Sequence, residues 1–511
     1  MGYLNKENIT KLKSLCKRYK PMELYYKIRE KLAAPYQDYQ QNLGKYLPSA
    51  EELQVQRREQ KSFAYQPLVS IVVPAYETEE LFLKQLIDSC VAQTYPNWQL
   101  CIADGSRSDK VEKVLAREYG HESRISYQRL EKNEGISENT NRGFEMAEGD
   151  YIALLDHDDL LVPSALYEMV KRINETGAEF LYSDEDKVSA DLSRYMEPHF
   201  KLDFNRELLL GNNYICHLLM VSREVLKKAG GLDSRYDGAQ DFDFVLRCSE
   251  CTEKIEHIPK ILYHWRMHSG STAGNTDSKL YAYEAGKRAV EDYLKRKGWQ
   301  GEVSMTNDLG FYRILYRVPS GITVGIACWG EPSRKFEKVL KQVKQELEQE
   351  HIKLVWEGEW EQKRKCQQEQ GKIDREWEQN GHSIPDERPD FLIIMNRALT
   401  GITEGSVLRL LGSCAREDVG IVGSKTIRKG KVLQCGFREK EGKLEPRFAG
   451  LPRHFKGYFR RAYLPVEVDA VSFDLAVVDL AGCDPASMDI SGHMAQSTEK
   501  RIIADPGAEV K

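Results

Sequence analysis

From residue 68 to residue 155, strand-length apolar runs alternate with helix-length amphipathic stretches, and each run stops at a turn or an acid. The runs are 68–73, 99–103, 125–129 and 151–155; helices are expected at about 79–93, at 109–119 and up to Ala147. Few folds accept such a pattern. Strands separated by single helices predict an α/β unit with a mostly parallel, doubly wound sheet. Sheets of that kind bind ligands beyond the carboxyl ends of their strands. Three loops converge on that edge: Pro74-Ala75-Tyr76, Asp104-Gly105-Ser106 and the stretch 156–159.

The last of these loops carries the chemistry. Leu154-Leu155-Asp156-His157-Asp158-Asp159 sets three carboxylates at the end of a buried strand. Carboxylates are costly to hold against an apolar core, and a divalent cation is the natural compensation. Hard oxygen ligands suit Mg²⁺ or Mn²⁺, ions that most often hold phosphate groups. A second acidic cluster, Gln240-Asp241-Phe242-Asp243, follows downstream. The leading expectation is an enzyme acting on a phosphorylated donor.

At 511 residues the chain exceeds a single core, so two domains with extensions are expected. No apolar run reaches the roughly 20 residues that span a bilayer, and a net charge of −5 argues against nucleic-acid binding. Eleven scattered cysteines, an odd number, suit a reducing compartment. With no apolar leader at the N-terminus, a cytoplasmic protein is expected. Cys248 and Cys251 have metal-like spacing but no second pair, which argues against zinc. The first 33 residues are locally basic, and Leu12, Leu15, Tyr19 and Leu24 could rest them on the anionic inner face of a membrane. The alternative is a solvated helix packed on the body of the protein, and Pro21 interrupts the stripe.

The second half reads as a degenerate copy of the first. The run 322–330 has the strand-then-turn character of 69–76, and the strand after Asp390 aligns with the strand after Asp150. In that alignment Asn396 stands where Asp156 does and Ala398 where Asp158 does, so the carboxylates are lost. The charged stretch 341–388 is expected as long solvated helix and loop, and the polar tail from about 481 as disordered. The expected division is a helical region 1–66, a first α/β domain 67–300, a second 301–480 and a tail 481–511.

Five pieces in order, Ser-Ile-Val-Val-Pro-Ala-Tyr (70–76), Ala-Asp-Gly-Ser (103–106), Asn-Glu-Gly-Ile-Ser (133–137), Leu-Asp-His-Asp-Asp (155–159) and Gln-Asp-Phe-Asp (240–243), resemble the inverting family 2 glycosyltransferases. Tyr-Ser-Asp-Glu-Asp-Lys (182–187), Asn-Asn-Tyr-Ile (212–215) and Tyr-His-Trp-Arg (263–266) resemble bacterial O-antigen and rhamnosyltransferase-type cell-surface polysaccharide enzymes. The resemblance implies a GT-A fold, Rossmann-like with helices on both faces, and a second degenerate GT-A-like domain after it. It implies transfer of a sugar from a nucleoside-diphosphate sugar, UDP- or dTDP-linked, to a hydroxyl of a glycan or lipid-linked acceptor.

Carried over by position, Pro74, Ala75, Tyr76 and Glu77 would line the base and ribose, and Asp104 would meet the imide of a pyrimidine. Asp158 would be the first metal ligand, with Asp156 on metal or ribose, Asp159 in support, His268 completing the shell and Arg266 on a phosphate oxygen. Asp241 would be the general base. Each has a plainer reading. Asp104 suits an ordinary turn, Asp159 and Asp241 suit helix N-caps, and His268 suits a closing loop. Asp184-Glu185-Asp186 would frame donor or acceptor without catalysing, and Asp243 would be structural. The family's usual second acid before Gly105 is Ala103 here, and Asn139-Thr140-Asn141 lacks the expected arginine.

Two rivals stand beside this reading. A non-catalytic glycan-binding or scaffold module would not need Asp156, Asp158 and Asp241 together. A nucleotidyltransferase would carry a Gly-rich basic loop after the first strand, and Pro74-Ala75-Tyr76-Glu77 is not one.

Overall fold

The structure is a computed structural model describing residues 16, 18–32, 38–268, 280–359, 389–483 and 500–511. The basic residues before 16, the loop beyond His268, and the segments 360–388 and 484–499 lie outside the described residues.

The first sheet contains β1 (Val69–Ala75), β2 (Trp98–Asp104), β3 (Ile125–Arg129), β4 (Tyr151–Leu154), β5 (Leu160–Leu161), β6 (Phe180–Ser189), β7 (Tyr195–His199), β8 (Leu219–Ser222) and β9 (Ile255–Met267). Its order is β3-β2-β1-β4-β8-β6-β9-β5, with β7 paired to β6. The β3-β2-β1-β4 half is parallel throughout. Strand β8 then runs antiparallel to both β4 and β6. The expected α/β sheet is therefore present, with one reversed strand at its centre.

Burial explains why β1 reads as a continuous apolar run. Val69, Ile71 and Val73 sit in one core cluster and Val72 in another, on opposite faces, all fully buried. A parallel strand covered on both sides has no solvent face to alternate toward. Each such side chain contributes about 1.5–3 kcal/mol by leaving water. The helix Ile136–Met146 comes so close to β1 that a Cβ on Gly143 would stand 2.4 Å from Val72 Cγ1. Only glycine permits that approach.

The second sheet repeats the topology. Its order is Lys353–Glu359, Thr323–Trp329, Phe391–Asn396, Leu475–Asp479, Val419–Arg428, Arg501–Val510 and Val466–Glu467. The first six match β2, β1, β4, β8, β6 and β9 in order and in every parallel or antiparallel relation. The loop acids that open the two copies correspond as well. Asp150 accepts from Leu68 N at 2.9 Å, and Asp390 accepts from Thr323 N at 2.7 Å.

Three expectations shift. Against the expectation of a disordered tail, Arg501–Val510 is an inner strand of the second sheet, because Ile502, Ile503, Ala504, Ala508 and Val510 supply its buried side chains. The charged stretch contains the helix Phe336–Gln349 but also the strand Lys353–Glu359. The hairpin Gly301–Met305 and Tyr312–Tyr316 belongs with the first unit, whose core takes Val303, Tyr312 and Tyr316. The units meet through a buried ion pair, Arg416 to Glu207 at 2.7 Å, with the guanidinium lying over Trp299 and Tyr316.

The N-terminal helix Pro21–Leu32 lies against the second unit, with Tyr26 stacked on His454 and Glu30 accepting from Gly457 N at 2.9 Å. Its outer side leaves Met22, Tyr25, Ile28 and Leu32 50–70% exposed. Among the described residues no helix is long and apolar enough to cross a membrane.

Candidate active site

The carboxyl ends of β1, β2 and β4 open on one edge of the first sheet, and the predicted residues gather there. Ala75, at the end of β1, pairs with Asp104, at the end of β2. Pro74 is half-buried, Ala75 buried and Tyr76 41% exposed. Glu77 folds back over the next turn, accepting from Arg107 N (2.9 Å), Ser108 N (3.1 Å) and Ser108 Oγ (2.8 Å). Those bonds, the Ser108 hydroxyl first, hold its carboxyl below the usual range. Asp104 is fully buried and accepts from Ser106 N at 2.9 Å and Tyr127 Oη at 3.0 Å. It does the turn work its sequence suggests, but a carboxylate has about four acceptor positions.

After β4 the three aspartates part company. Asp156 is the open one, its side chain 44% exposed and 3.7 Å from His217 Nε2. Asp158 Oδ2 lies 2.6 Å from His268 Nε2. Asp159 is buried and accepts from Tyr263 Oη (2.6 Å) and Arg266 N (2.7 Å). Burial, with Asp158 and Asp156 beside it, pushes the Asp159 carboxyl well above its ordinary range. The N-cap reading of Asp159 does not hold: Leu160–Leu161 joins the sheet against β9, and the next helix begins at Ala165. Asp159 pins the loop to β9 instead.

Arg266 is fully buried. Its Nε donates to Asp158 O at 2.5 Å, its Nη1 donates to Ala190 O at 2.8 Å, and its guanidinium lies 4.4 Å from the Phe82 ring centre. Its Nη2 is buried without a hydrogen-bond partner. The visible role of Arg266 is to brace the aspartate loop.

Asp241 is the second residue of the helix Gln240–Cys251, which has Ala239 as its cap, so the N-cap reading fails here too. Its Oδ2 accepts from Asn213 Nδ2 at 2.8 Å, and Cys216 Sγ lies 3.9 Å away. Burial raises the Asp241 carboxyl above its ordinary value; His217 opposes that rise and Asp156 adds to it. Asp243 is paired with Arg247 at 2.7 Å, a structural position. Cys248 and Cys251 are free thiols, and Cys251 bonds to Arg247 O within the helix.

His217 is the residue that sequence reasoning missed. It stacks on Tyr263 with ring centres 4.6 Å apart and stands between Asp156 and the loop that holds Asp241. Its backbone N donates to Glu185 Oε2 at 3.1 Å, and its carbonyl accepts from Lys201 Nζ. Lys201, whose side chain is fully buried, also reaches Glu185 (3.1 Å) and Ile215 O (2.6 Å). Burial alone would raise the Glu185 carboxyl, but Lys201 and His199 hold it at about 2. Asp184 and Asp186 are committed to His257 (2.9 Å) and His264 (2.5 Å). The 184–186 acids therefore support the site from below and do not line it. The only sequence signal for His217 was its closeness to Asn-Asn-Tyr-Ile, which carries no code for an imidazole two residues later.

The residues present fit a hard divalent ion. Ligand atoms of Asp156, Asp159 and His217 lie within 4.8 Å of one another, and Asp158 and His268 form the adjacent pair. This grouping differs from the expected Asp156, Asp158 and His268, because Asp159 turns inward to Tyr263 while Asp158 meets His268. Asp159 is buried and both its oxygens already accept hydrogen bonds, so Asp156, Asp158 and the two imidazoles are the better donors.

The second unit shows what the site looks like without those groups. Continuing its ladder in the same register brings Asn396 to the place of Asp156 and Asp474 to that of His217. Asn396 Nδ2 donates to Asp474 at 3.0 Å, and Thr426 Oγ1 donates to it at 2.7 Å. The polar groups there satisfy one another.

Residues 70–230 match the family model described as glycosyl transferase family 2. An uncharacterized protein y4gI of Sinorhizobium fredii is 39% identical over 280 residues, 54% of this chain and 30% of that protein. The O-antigen biosynthesis protein RfbC of Myxococcus xanthus is 35% identical over 254 residues, 49% of this chain and 20% of its own length. Chondroitin synthase of Pasteurella multocida is 28% identical over 208 residues, 40% and 21% of the two chains. The chain thus spans less than a third of the length of these relatives. Among solved structures, a mannosyltransferase of Pyrobaculum calidifontis in complex with GDP-Man and Mn²⁺ overlays at a TM-score of 0.36 and 14% identity, covering 48% of this chain and 72% of that one. An overlay that loose carries no argument. Residues 70–230 are thus a domain of the glycosyl transferase family 2 type.

Proposed function

We propose that the first unit transfers a sugar, with inversion, from a UDP- or dTDP-linked donor to a hydroxyl of a cell-surface glycan or a lipid-linked acceptor. The observation that carries this reading is the meeting of Asp156, Asp158, His217 and His268 at one edge, with Asp241 held beside them by Asn213. Asp104 and Glu77, at the ends of β2 and β1, would bind the base and ribose, with Pro74, Ala75 and Tyr76 around them. Asp156, Asp158 and His268, with His217 alongside, would hold Mn²⁺ or Mg²⁺, which when bound neutralises charge on the departing diphosphate. Arg266 acts as a positioning residue through its bond to Asp158 O.

The chemistry needs one proton acceptor. The acceptor oxygen attacks the anomeric carbon, the bond from that carbon to the diphosphate oxygen breaks, and Asp241 takes the hydroxyl proton. A carboxylate raised by burial is a stronger base than one in water, and positioned bases supply about 10²–10⁴-fold. Asn213 keeps the Asp241 oxygen aimed. The second unit, with its inert Asn396–Asp474 counterpart, would hold acceptor or partner rather than react.

The exposed stripe Met22, Tyr25, Ile28 and Leu32, near Lys20 and Lys31, supports a peripheral contact of a cytoplasmic enzyme with the inner membrane face. The test of function is release of nucleoside diphosphate from UDP- and dTDP-sugars with a glycan acceptor and Mn²⁺. Turnover that vanishes in Asp241→Asn supports the assignment; undiminished turnover in that variant removes Asp241 as the base.

A further inference from the structure

A cavity of about 470 Å³ lies where the N-terminal helix, the 301–316 hairpin and the second unit meet. Seven lysine and arginine side chains line it against four carboxylates. The carboxylates are already taken. Asp308 receives Lys27 (2.6 Å), Lys456 (2.5 Å), Arg460 (3.0 Å) and the Tyr19 hydroxyl (2.8 Å). Glu509 receives Arg453 at 2.8 Å and Lys425 at 3.6 Å. Glu30 faces Arg460 at 3.8 Å and accepts from Gly457 N, and Glu23 accepts from Lys20 N.

Positive charge is left over. Among the described residues Arg313 makes no ion pair; its guanidinium lies 3.8 Å from the Tyr463 ring centre and donates only to Tyr463 O at 3.5 Å. Arg460 keeps a buried Nε with no hydrogen-bond partner. Arg313 is half-buried, and burial pushes its guanidinium below the ordinary value although Tyr463 and Asp505 nearby oppose the fall. Uncompensated buried charge is costly, and an anion from outside is the remaining way to offset it. The volume falls in the roughly 300–1,000 Å³ range of small-molecule sites, far above what a bare oxyanion fills. Tyr19, Tyr26, Phe455 and Tyr463 add the aromatic surface that sugar rings pack on.

We propose that this cavity binds an anionic saccharide, a sugar unit carrying a carboxylate or a phosphate, with Arg313 and Arg460 meeting the anion. It does not depend on the transfer reaction, so binding is measured without nucleotide sugar. Calorimetric titration would compare trigalacturonate and glucose 6-phosphate with neutral maltotriose and inorganic phosphate. The expected result is binding of one or both anionic sugars at least about tenfold tighter than either control. The stronger of the two names the anion. Arg313→Gln should weaken that binding about tenfold or more, while Asp241→Asn leaves it unchanged. For the unsubstituted protein, raising salt from about 50 to about 300 mM should weaken it as well, a result that needs no variant to fold. Equal binding of maltotriose, equal binding of inorganic phosphate, indifference to salt, or an unaffected Arg313→Gln protein would each overturn the proposal.

Discussion

Lys201→Met is the substitution that tests most sharply how the fold holds the site. The ammonium is fully buried and serves three acceptors, Glu185 Oε2, Ile215 O and His217 O. Methionine keeps the stem and removes the charge. Glu185 is then left buried with His199 as its remaining imidazole partner at 3.5 Å, and two carbonyls lose a donor. Breaking one side of a buried pair costs about 3–5 kcal/mol. For a unit of this size that corresponds to a fall in Tm of about 6–20 °C. Urea unfolding followed by circular dichroism, with the slope m unchanged, measures the loss directly. Glu185→Gln added to Lys201→Met should recover part of it, since the stranded charge disappears while an acceptor for His217 N remains. The coupling between the two sites should be about 0.5–3 kcal/mol. A loss under about 1 kcal/mol, or strictly additive losses, would show that the pair does not support the His217 loop.

Asp241→Asn should lower kcat by about 10²–10⁴ while leaving nucleotide affinity within twofold or so, read from initial rates and calorimetry. Because burial raises the Asp241 carboxyl, the acid limb of kcat should lie above the ordinary carboxylate range, with activity lost as pH falls through it; a limb at or below that range contradicts the assignment. Stability should decline on acidification in two stages: His199, lowered by burial from 6.5 to about 4, favours the native state above 6.5 and loses that contribution as pH drops toward 4. Glu185, lowered from 4.5 to about 2, does the same between those values. Thermal melts from pH 8 to pH 3 check both. Tyr263→Phe removes the hydroxyl that donates to Asp159 and should cost about 1–3 kcal/mol while keeping the His217 stack.

The strand-and-acid rhythm made the first half legible because a two-sided parallel strand must be apolar throughout and must stop where its loop meets water. Asp104, Asp156, Asp158 and Asp241 could be found because each sits at a strand end or a helix start, where short-range pattern speaks. The degenerate second unit was legible for the same reason, through Asp390 and Asn396. His217 and Lys201 were not, and Asn213 showed only as part of Asn-Asn-Tyr-Ile without a role, since an irregular loop between Gly211 and β8 and the long-range contacts Lys201 makes to it leave no periodicity. Asp159 stays open in the sequence because Asp before an apolar pair suits a cap as well as it suits a buried anchor, and only Tyr263, on a strand about a hundred residues later, decides between them. The tail deceived by composition: the polar residues after Ala481 hide Arg501–Val510, whose buried side chains are needed by a sheet begun far upstream.

The central claim, a metal-dependent donor site on the β4 loop with a separate base at Asp241, is tested most directly by titrating UDP and dTDP into the protein with Mn²⁺ and again with EDTA, in unsubstituted, Asp158→Asn and Asp241→Asn forms. The account predicts diphosphate binding with Mn²⁺ that EDTA abolishes, that Asp158→Asn loses, and that Asp241→Asn retains. Binding that ignores EDTA, or that survives Asp158→Asn and fails in Asp241→Asn, would contradict it.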